Sequence, residues 1–225
     1  MAAHTLIIGL YGIPACGKST LAKYLAEHPA GGLKVATMKD CKRLAHRHKW
    51  QFAMSFTPRG VWAAVRLRRS APRDKIRRDL PFGELLHKEA FNRFVKKYTD
   101  YDVVVLDHSD IQTFVSYEGG ENLHESETFR KACLHYLVVS HCSAYVYCRI
   151  SAKESLQRMN SRGRDLGRID LIKDQNIKLQ ELESETGRFD YWTTVLKERQ
   201  AKLFEIDMND TVPVIAESFW KALLN

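Results

Sequence analysis

The chain has 225 residues and carries 35 Lys and Arg against 27 Asp and Glu, a net charge of +8 at neutral pH. Its length suits one domain, and an apolar share of 44% is that of an ordinary globular chain, which excludes a disordered tail, a collagen or a small disulfide scaffold. No run reaches the ~18 apolar residues of a membrane helix, the start lacks the basic segment of a signal peptide, and five scattered cysteines without a Cys-x-x-Cys pair fit reduced thiols, so a cytoplasmic protein is expected.

Short apolar runs predict strands at His4–Leu10, Leu33–Met38, Asp102–Asp107, Ala144–Ile150 and Leu203–Asp207. They are continuous rather than alternating, the pattern of strands buried on both faces of a parallel sheet. Helices are predicted at Lys18–Glu27, Phe82–Tyr98, Glu127–Ser140, Ala152–Ser161, Lys173–Glu185, Tyr191–Leu203 and Ser218–Leu224. Strands alternating with helices define an α/β fold, a parallel sheet with helices on both faces. The stretch Asp40–Pro81 mixes charge, aromatics and Pro and is the least readable. From Arg59 to Arg78 it carries Arg59, Arg66, Arg68, Arg69, Arg73, Lys75, Arg77 and Arg78 against Asp74 alone, which suits a solvated face or an anionic partner.

The first strand runs into Gly12-Ile13-Pro14-Ala15-Cys16-Gly17-Lys18-Ser19-Thr20, which fits G-x-x-x-x-G-K-[ST] at every position. The glycines let backbone N–H groups turn inward around phosphate oxygens, and the helix that follows points its positive N-terminus at the same anion. Lys18 reaches the terminal phosphates and Ser19 ligates Mg²⁺. A strand before the motif and a helix after it are the context the motif requires. ATP and Mg²⁺ are therefore expected as the donor and its metal.

Two carboxylates end strands at the same edge, where functional side chains cluster in parallel sheets. Asp107 follows Val103–Leu106 and is expected to hold Mg²⁺ or to orient the acceptor. Asp40 follows Val35–Met38 and is expected either to accept the acceptor's hydroxyl proton or to cap a helix over Cys41–Lys49. Which of the two is the base stays open. Trp50, Phe52, Phe56 and Trp62 lie between the second and third strands and suit either base stacking or core packing. After the fourth strand, Arg158 and Arg162 share a helix face and Gly163 breaks the helix before Arg164. With Gly167 beyond, this reads as an arginine lid that stabilises charge on a transferring phosphoryl group.

These residues together resemble the deoxynucleoside kinases, a branch of the P-loop kinases that also includes thymidylate kinase. The resemblance rests on the loop Gly12–Thr20, on the lid spacing Arg158-x-x-x-Arg162-x-Arg164 followed by Leu179, Leu182 and Tyr191-Trp192, and on Phe204-Glu205-Ile206-Asp207-Met208-Asn209-Asp210. It implies one P-loop kinase domain over residues 1–225, with strand order 2-3-1-4-5, an acceptor-side insertion near residues 40–100 and a lid near residues 155–170. It implies transfer of the γ-phosphate of Mg-ATP to a (deoxy)nucleoside 5′-hydroxyl, with Asp207 and Asn209 beside the adenine.

Two departures fall on the acceptor side: Asp107-His108-Ser109 stands where the family has Glu-Arg-Ser, and Lys39-Asp40-Cys41 where it has Glu-Pro. Tyr117-Glu118-Gly119 echoes the Tyr-x-Gly of thymidylate-kinase-like enzymes, so a nucleoside monophosphate, clamped by the Arg66–Arg78 segment, remains an alternative acceptor. Another metabolite or a polynucleotide end is a third. A nucleic-acid-binding NTPase is a distant alternative: no recognition module accompanies the charge, and the Asn-Lys-x-Asp of guanine switches is missing. A homodimer is compatible with the reading; a membrane partner is not expected.

Overall fold

The computed structural model of the chain describes residues 5–70, 75–118, 123–162 and 169–224, with backbone alone for residues 75–81 and 123. Strand β1 (Leu6–Tyr11) leads to α1 (Lys18–Glu27), and β2 (Val35–Thr37) leads without a loop into α2 (Met38–Arg47). Then come α3 (Lys49–Ala53), α4 (Pro58–Ser70), α5 (Lys75–Tyr98), β3 (Val103–Leu106), α6 (Asp110–Glu118) and α7 (Glu127–Val139). Strand β4 (Ala144–Arg149) is followed by α8 (Ala152–Ser161) and α9 (Gln175–Glu198), and β5 (Leu203–Asp207) by α10 (Val212–Leu224).

The strands form one sheet in the order β2-β3-β1-β4-β5, and every neighbouring pair is parallel. All four residues of β3 are buried, as its Val-Val-Val-Leu run predicts for a central strand. They alternate between two cores. Val104 and Leu106 pack with Ile7, Ala36, Cys41, Phe91 and Phe94, whereas Val103 and Val105 join the larger cluster built with α1, α6, α7, α9 and α10. The order brings the C-terminal ends of β1 and β3 side by side, with Gly9 opposite Leu106, so the loops after these strands meet.

Three expectations are corrected. The helices predicted over Lys173–Glu185 and Tyr191–Leu203 are one continuous helix, α9. Gly187 sits inside it, and the buried ring of Phe189 and the indole of Trp192 repay its weaker propensity through packing. The helix after β2 starts at Met38 rather than Cys41, capped by Thr37 and not by Asp40. The final helix begins at Val212, six residues before its apolar pattern becomes obvious. Among the described residues, no helix is long and apolar enough to cross a membrane.

Candidate active site

The loop between β1 and α1 is held open by backbone geometry. Gly12 has φ +146° and Gly17 +99°, values that disfavour a side chain. A β-carbon on Gly12 would stand 2.5 Å from the Cys148 carbonyl oxygen of β4. The non-glycine Ala15 is also at positive φ, +55°, a strained conformation of the kind found at ligand clamps. Neighbouring elements brace the loop. The Gly12 N–H donates to Gln112 Oε1 of α6 at 3.2 Å, and Ser155 Oγ of α8 donates to the Pro14 carbonyl at 2.6 Å. Ile13 and Cys16 are buried; Pro14 and Ala15 are half-buried, and Ser19 and Thr20 are exposed at the start of α1.

Lys18 curls into the loop. Its Nζ donates to the carbonyls of Gly12 at 2.7 Å and Ile13 at 3.0 Å, and lies 3.2 Å from Cys16 Sγ. Cys16 and Cys148 are hydrogen-bonded, and this contact is the strongest influence pulling the Cys16 thiol below its ordinary range. Burial opposes the shift and the Lys18 ammonium adds to it. Cys148 is pushed up by the same contact and by burial.

Ser19 Oγ donates to Asp107 Oδ2 at 2.7 Å. This hydroxyl and this carboxylate come from opposite sides of the β1–β3 junction and converge beside the phosphate loop. Both are hard oxygen donors of the kind Mg²⁺ takes. The residues present therefore fit the metal, with Ser19 and Asp107 to hold it.

On the other side of Asp107 lies a cavity of about 500 Å³. One wall is α2 and α3, with Met38, Lys42, Ala45, His46, Lys49 and Phe52; the other is α5, with Glu84, His87, Lys88 and Phe91, and Leu106 closes the floor. Glu84, His87, Lys88 and Phe91 are spaced i, i+3, i+4, i+7 and so share a face. Glu84 Oε1 receives His108 Nδ1 at 2.7 Å and Lys88 Nζ at 3.3 Å. Lys88 is buried and donates also to the Ser109 carbonyl at 3.0 Å and to Thr113 Oγ1 at 2.8 Å. Burial pushes Glu84 upward, but His108 and Lys88 outweigh it and leave the carboxyl at about 2. His108 moves down instead, chiefly by burial, with Lys88 and Lys18 adding to it. At neutral pH a neutral imidazole therefore sits against an ionised Glu84.

Asp40 does not line this cavity. Its Oδ2 accepts from the Thr37 N–H at 3.0 Å and from Thr37 Oγ1 at 2.6 Å, completing a capping box at the start of α2. Burial pushes its pKa up, but these bonds and Arg43 prevail and bring it below the usual range. The expectation that Asp40 takes the hydroxyl proton finds no support in this geometry. Of the four aromatics singled out, Phe52 lines the cavity, Phe56 packs edge-on against it, Trp50 is fully out in solvent and Trp62 lies under Arg66 elsewhere. Arg66 and Arg69 line a separate hollow between α4 and α7, away from the cavity; Arg73 lies outside the described residues.

The arginines expected to form a lid hold internal partners where they are described. Arg158 Nη2 donates to Glu154 Oε1 and to the Met208 carbonyl, both at 2.9 Å, which ties α8 to the turn after β5. Arg162 Nη2 grips both Asp170 oxygens at 2.7 and 2.8 Å. Arg164, with Gly163 and Gly167, lies outside the described residues, as does Gly119 of the Tyr-x-Gly echo. Asp207 and Asn209 line a second hollow with Arg149, Ser151 and Thr186 at the ends of β4 and β5.

Sequence reasoning missed Glu84, Lys88, Gln112 and Ser155. The first two were legible as the polar side of the same helix whose apolar side, Leu85, Leu86, Phe91, Phe94 and Val95, marked it as core.

A five-stranded parallel sheet in this order, with a phosphate loop after its central strand, is the P-loop kinase fold of the deoxynucleoside kinases. No family model and no curated sequence matches the chain. Solved structures do match in fold. Deoxyadenosine kinase from M. mycoides with products dCMP and a flexible dCDP bound has TM-score 0.55 and 16% identity, covering 97% of this chain and 99% of that one. Structures described as the same enzyme with dCTP and with dATP have TM-scores of 0.54 and 0.51, each at 15% identity; they cover 97% and 98% of this chain and 99% and 100% of those chains.

Proposed function

We propose that the protein is an ATP-dependent kinase that transfers the γ-phosphate to a hydroxyl of a small acceptor, with a (deoxy)nucleoside 5′-hydroxyl as the first chemistry to test. The contact that carries the reading is Ser19 Oγ to Asp107 Oδ2, because it brings two hard oxygen donors together between the Gly12–Thr20 loop and a half-open cavity. Phosphoryl transfer needs positioning and charge stabilisation more than covalent chemistry. Lys18 exchanges its carbonyl partners for phosphate oxygens. Ser19 and Asp107 hold Mg²⁺, which neutralises phosphate charge when bound. Arg158, Arg162 and Arg164 close over the transferring group. Asp207 and Asn209 flank the donor base.

The role of base, left open between Asp40 and Asp107 in the sequence, passes to Glu84. One of its oxygens is fixed by His108 and Lys88, and the carboxylate faces the cavity beside the Asp107 segment. It accepts the acceptor's hydroxyl hydrogen bond and aims that oxygen at the γ-phosphate. Deoxynucleosides fit the cavity's size, and the fold neighbours are named as deoxyadenosine kinase.

The test is ADP release from Mg-ATP with a panel of nucleosides and nucleoside monophosphates. Turnover by the wild type that falls at least ~100-fold in Lys18→Ala is expected. A rate equal to the ATP-only blank with every acceptor, together with ATP binding that Lys18→Ala does not weaken, would overturn the reading.

A further inference from the structure

Resting on the kinase reading, we infer that the acceptor carries an anionic group of its own, a phosphate or a carboxylate, at the end opposite the hydroxyl that is phosphorylated, and that Lys42, His46 and Lys49 hold it. The polar lining of the cavity is mostly basic. Among the described residues it consists of Lys42, Lys49 and Lys88, of His46 and His87, and of one acid, Glu84, with no amide or hydroxyl side chain. A neutral base with mixed donor and acceptor edges is normally met by such amides and hydroxyls. A cavity of donors suits an anion.

The charges are also sorted by wall. On the α5 wall, Lys88 and Glu84 satisfy each other and are further tied to His108, Ser109 and Thr113. On the α2–α3 wall, Lys42 and Lys49 are exposed and have no acidic partner among the described residues, and neither does His46 between them. Several other surface cations are matched, among them Lys34 with Asp100, Lys131 with Glu127, and Arg149 and Lys197 with Glu205. Like charges converging on one cavity repel unless an anion sits between them. The floor of Phe52, Phe91, Ala45 and Leu106 takes an apolar or flat body.

The arrangement sets the acceptor's direction. Its hydroxyl lies at Glu84, next to the Asp107 segment, and its anion lies across the cavity. A nucleoside 5′-monophosphate with its dianion at the reacting end would face the Glu84 carboxylate. Arg66 and Arg69 do not supply the clamp, since they sit in another hollow.

The experiment compares matched acceptors on the full chain with Mg-ATP. One pair is a deoxynucleoside and its 3′-monophosphate, both with a free 5′-hydroxyl; another is benzyl alcohol and 4-(hydroxymethyl)benzoate. ADP release gives kcat/KM, and calorimetry with a non-hydrolysable ATP analogue bound gives affinity. The anionic member of at least one pair is expected to exceed its neutral partner by ~10-fold or more in kcat/KM, and the pair that does so tells phosphate from carboxylate. In the variant carrying Lys42→Gln and Lys49→Gln, KM for that member rises ~5- to 10-fold and the gap within the pair closes. Neutral members preferred or equal in both pairs, a gap that survives the double substitution, or no binding of any member would each overturn the inference. Lys18-dependent ATP binding, measured alongside, shows in each of those cases whether the kinase reading itself still stands.

Discussion

At Asp40 and Glu84 two carboxylates compete for one role, and their partners separate them. Asp40 spends an oxygen on the N–H and hydroxyl of Thr37, three residues earlier. Asp40→Asn is expected to weaken the capping box by about 1 kcal/mol, lowering Tm by ~2–4 °C while kcat stays within twofold. Glu84→Gln is expected to lower kcat by ~100-fold or more with little change in KM for ATP. A collapse of kcat in Asp40→Asn with Tm unmoved would return the role to Asp40. Cys16 carries a pH prediction. Its hydrogen bond with Cys148 and the Lys18 ammonium hold it below an ordinary thiol, so the native loop sheds a proton that the unfolded chain keeps up to pH ~8.5. Between about 6 in the folded loop and ~8.5 in the unfolded chain the unfolded state binds more protons, and stability therefore rises with pH, by at most ~1.4 kcal/mol per unit. Thermal unfolding from pH 6.5 to 8.5 should show this slope in the wild type and a flatter one in Cys16→Ala. Equal slopes would mean that Cys16 is protonated in the folded loop.

Where α4 crosses α5 the contact is set by the absence of a side chain. A β-carbon at Gly60 would stand 2.3 Å from Glu89 Oε2. That carboxylate cannot step aside freely, because Glu89 is buried and its other oxygen is engaged by Thr57 Oγ1 at 3.2 Å and Arg93 Nε at 3.3 Å. Gly60→Ala is expected to gain up to ~1 kcal/mol of helix propensity and to lose more to the clash, a net ~1–2 kcal/mol of destabilisation. Urea unfolding checks it: the midpoint should fall with an unchanged m-value. This junction also marks where the sequence stops being readable. The strands were legible because a parallel sheet demands continuous apolar runs, and Val103–Leu106 meets that demand in four residues. Helix α1 and helix α8 matched their predicted bounds because a phosphate motif and the Ser151 cap announce them. Helix α2 was read only as an alternative and with a late start, and α3 and α4 were illegible: charge covers the outer face of α4, and the small residues Gly60, Ala63 and Ala64 make much of its inner one. The loop Gly12–Thr20 is one contiguous motif, and its place between β1 and α1 was read directly. The acceptor side depends on residues from α2, α3, α5 and β3 that only the fold brings together.

Across the whole molecule the phosphate loop is the point where the chain's two halves are stitched. Gly12 presses on the Cys148 carbonyl of β4, Gln112 reaches it from α6 and Ser155 from α8, and Met208, just past β5, comes within 3.2 Å of where a β-carbon on Gly17 would lie. The loop therefore contacts elements separated by most of the sequence, including the segment after β5 that Arg158 ties to α8. A ligand seated there cannot leave while one half unfolds and the other persists, so its binding free energy counts toward the cooperative unfolding of the whole sheet. Mg-ATP at ~100 times its Kd is expected to add about 2.7 kcal/mol, a rise of ~5–10 °C in a chain of this size. ATP with a chelator should give a smaller rise, because Ser19 and Asp107 then lack the ion between them. Lys18→Ala should abolish both while leaving the ligand-free Tm near the wild-type value at pH 6 or below, where Cys16 keeps its proton and Nζ exchanges two loop carbonyls and a thiol for water. Scanning calorimetry distinguishes the outcomes. A shift that survives Lys18→Ala would place the nucleotide somewhere other than this loop, and a split transition would show that the loop does not couple the halves.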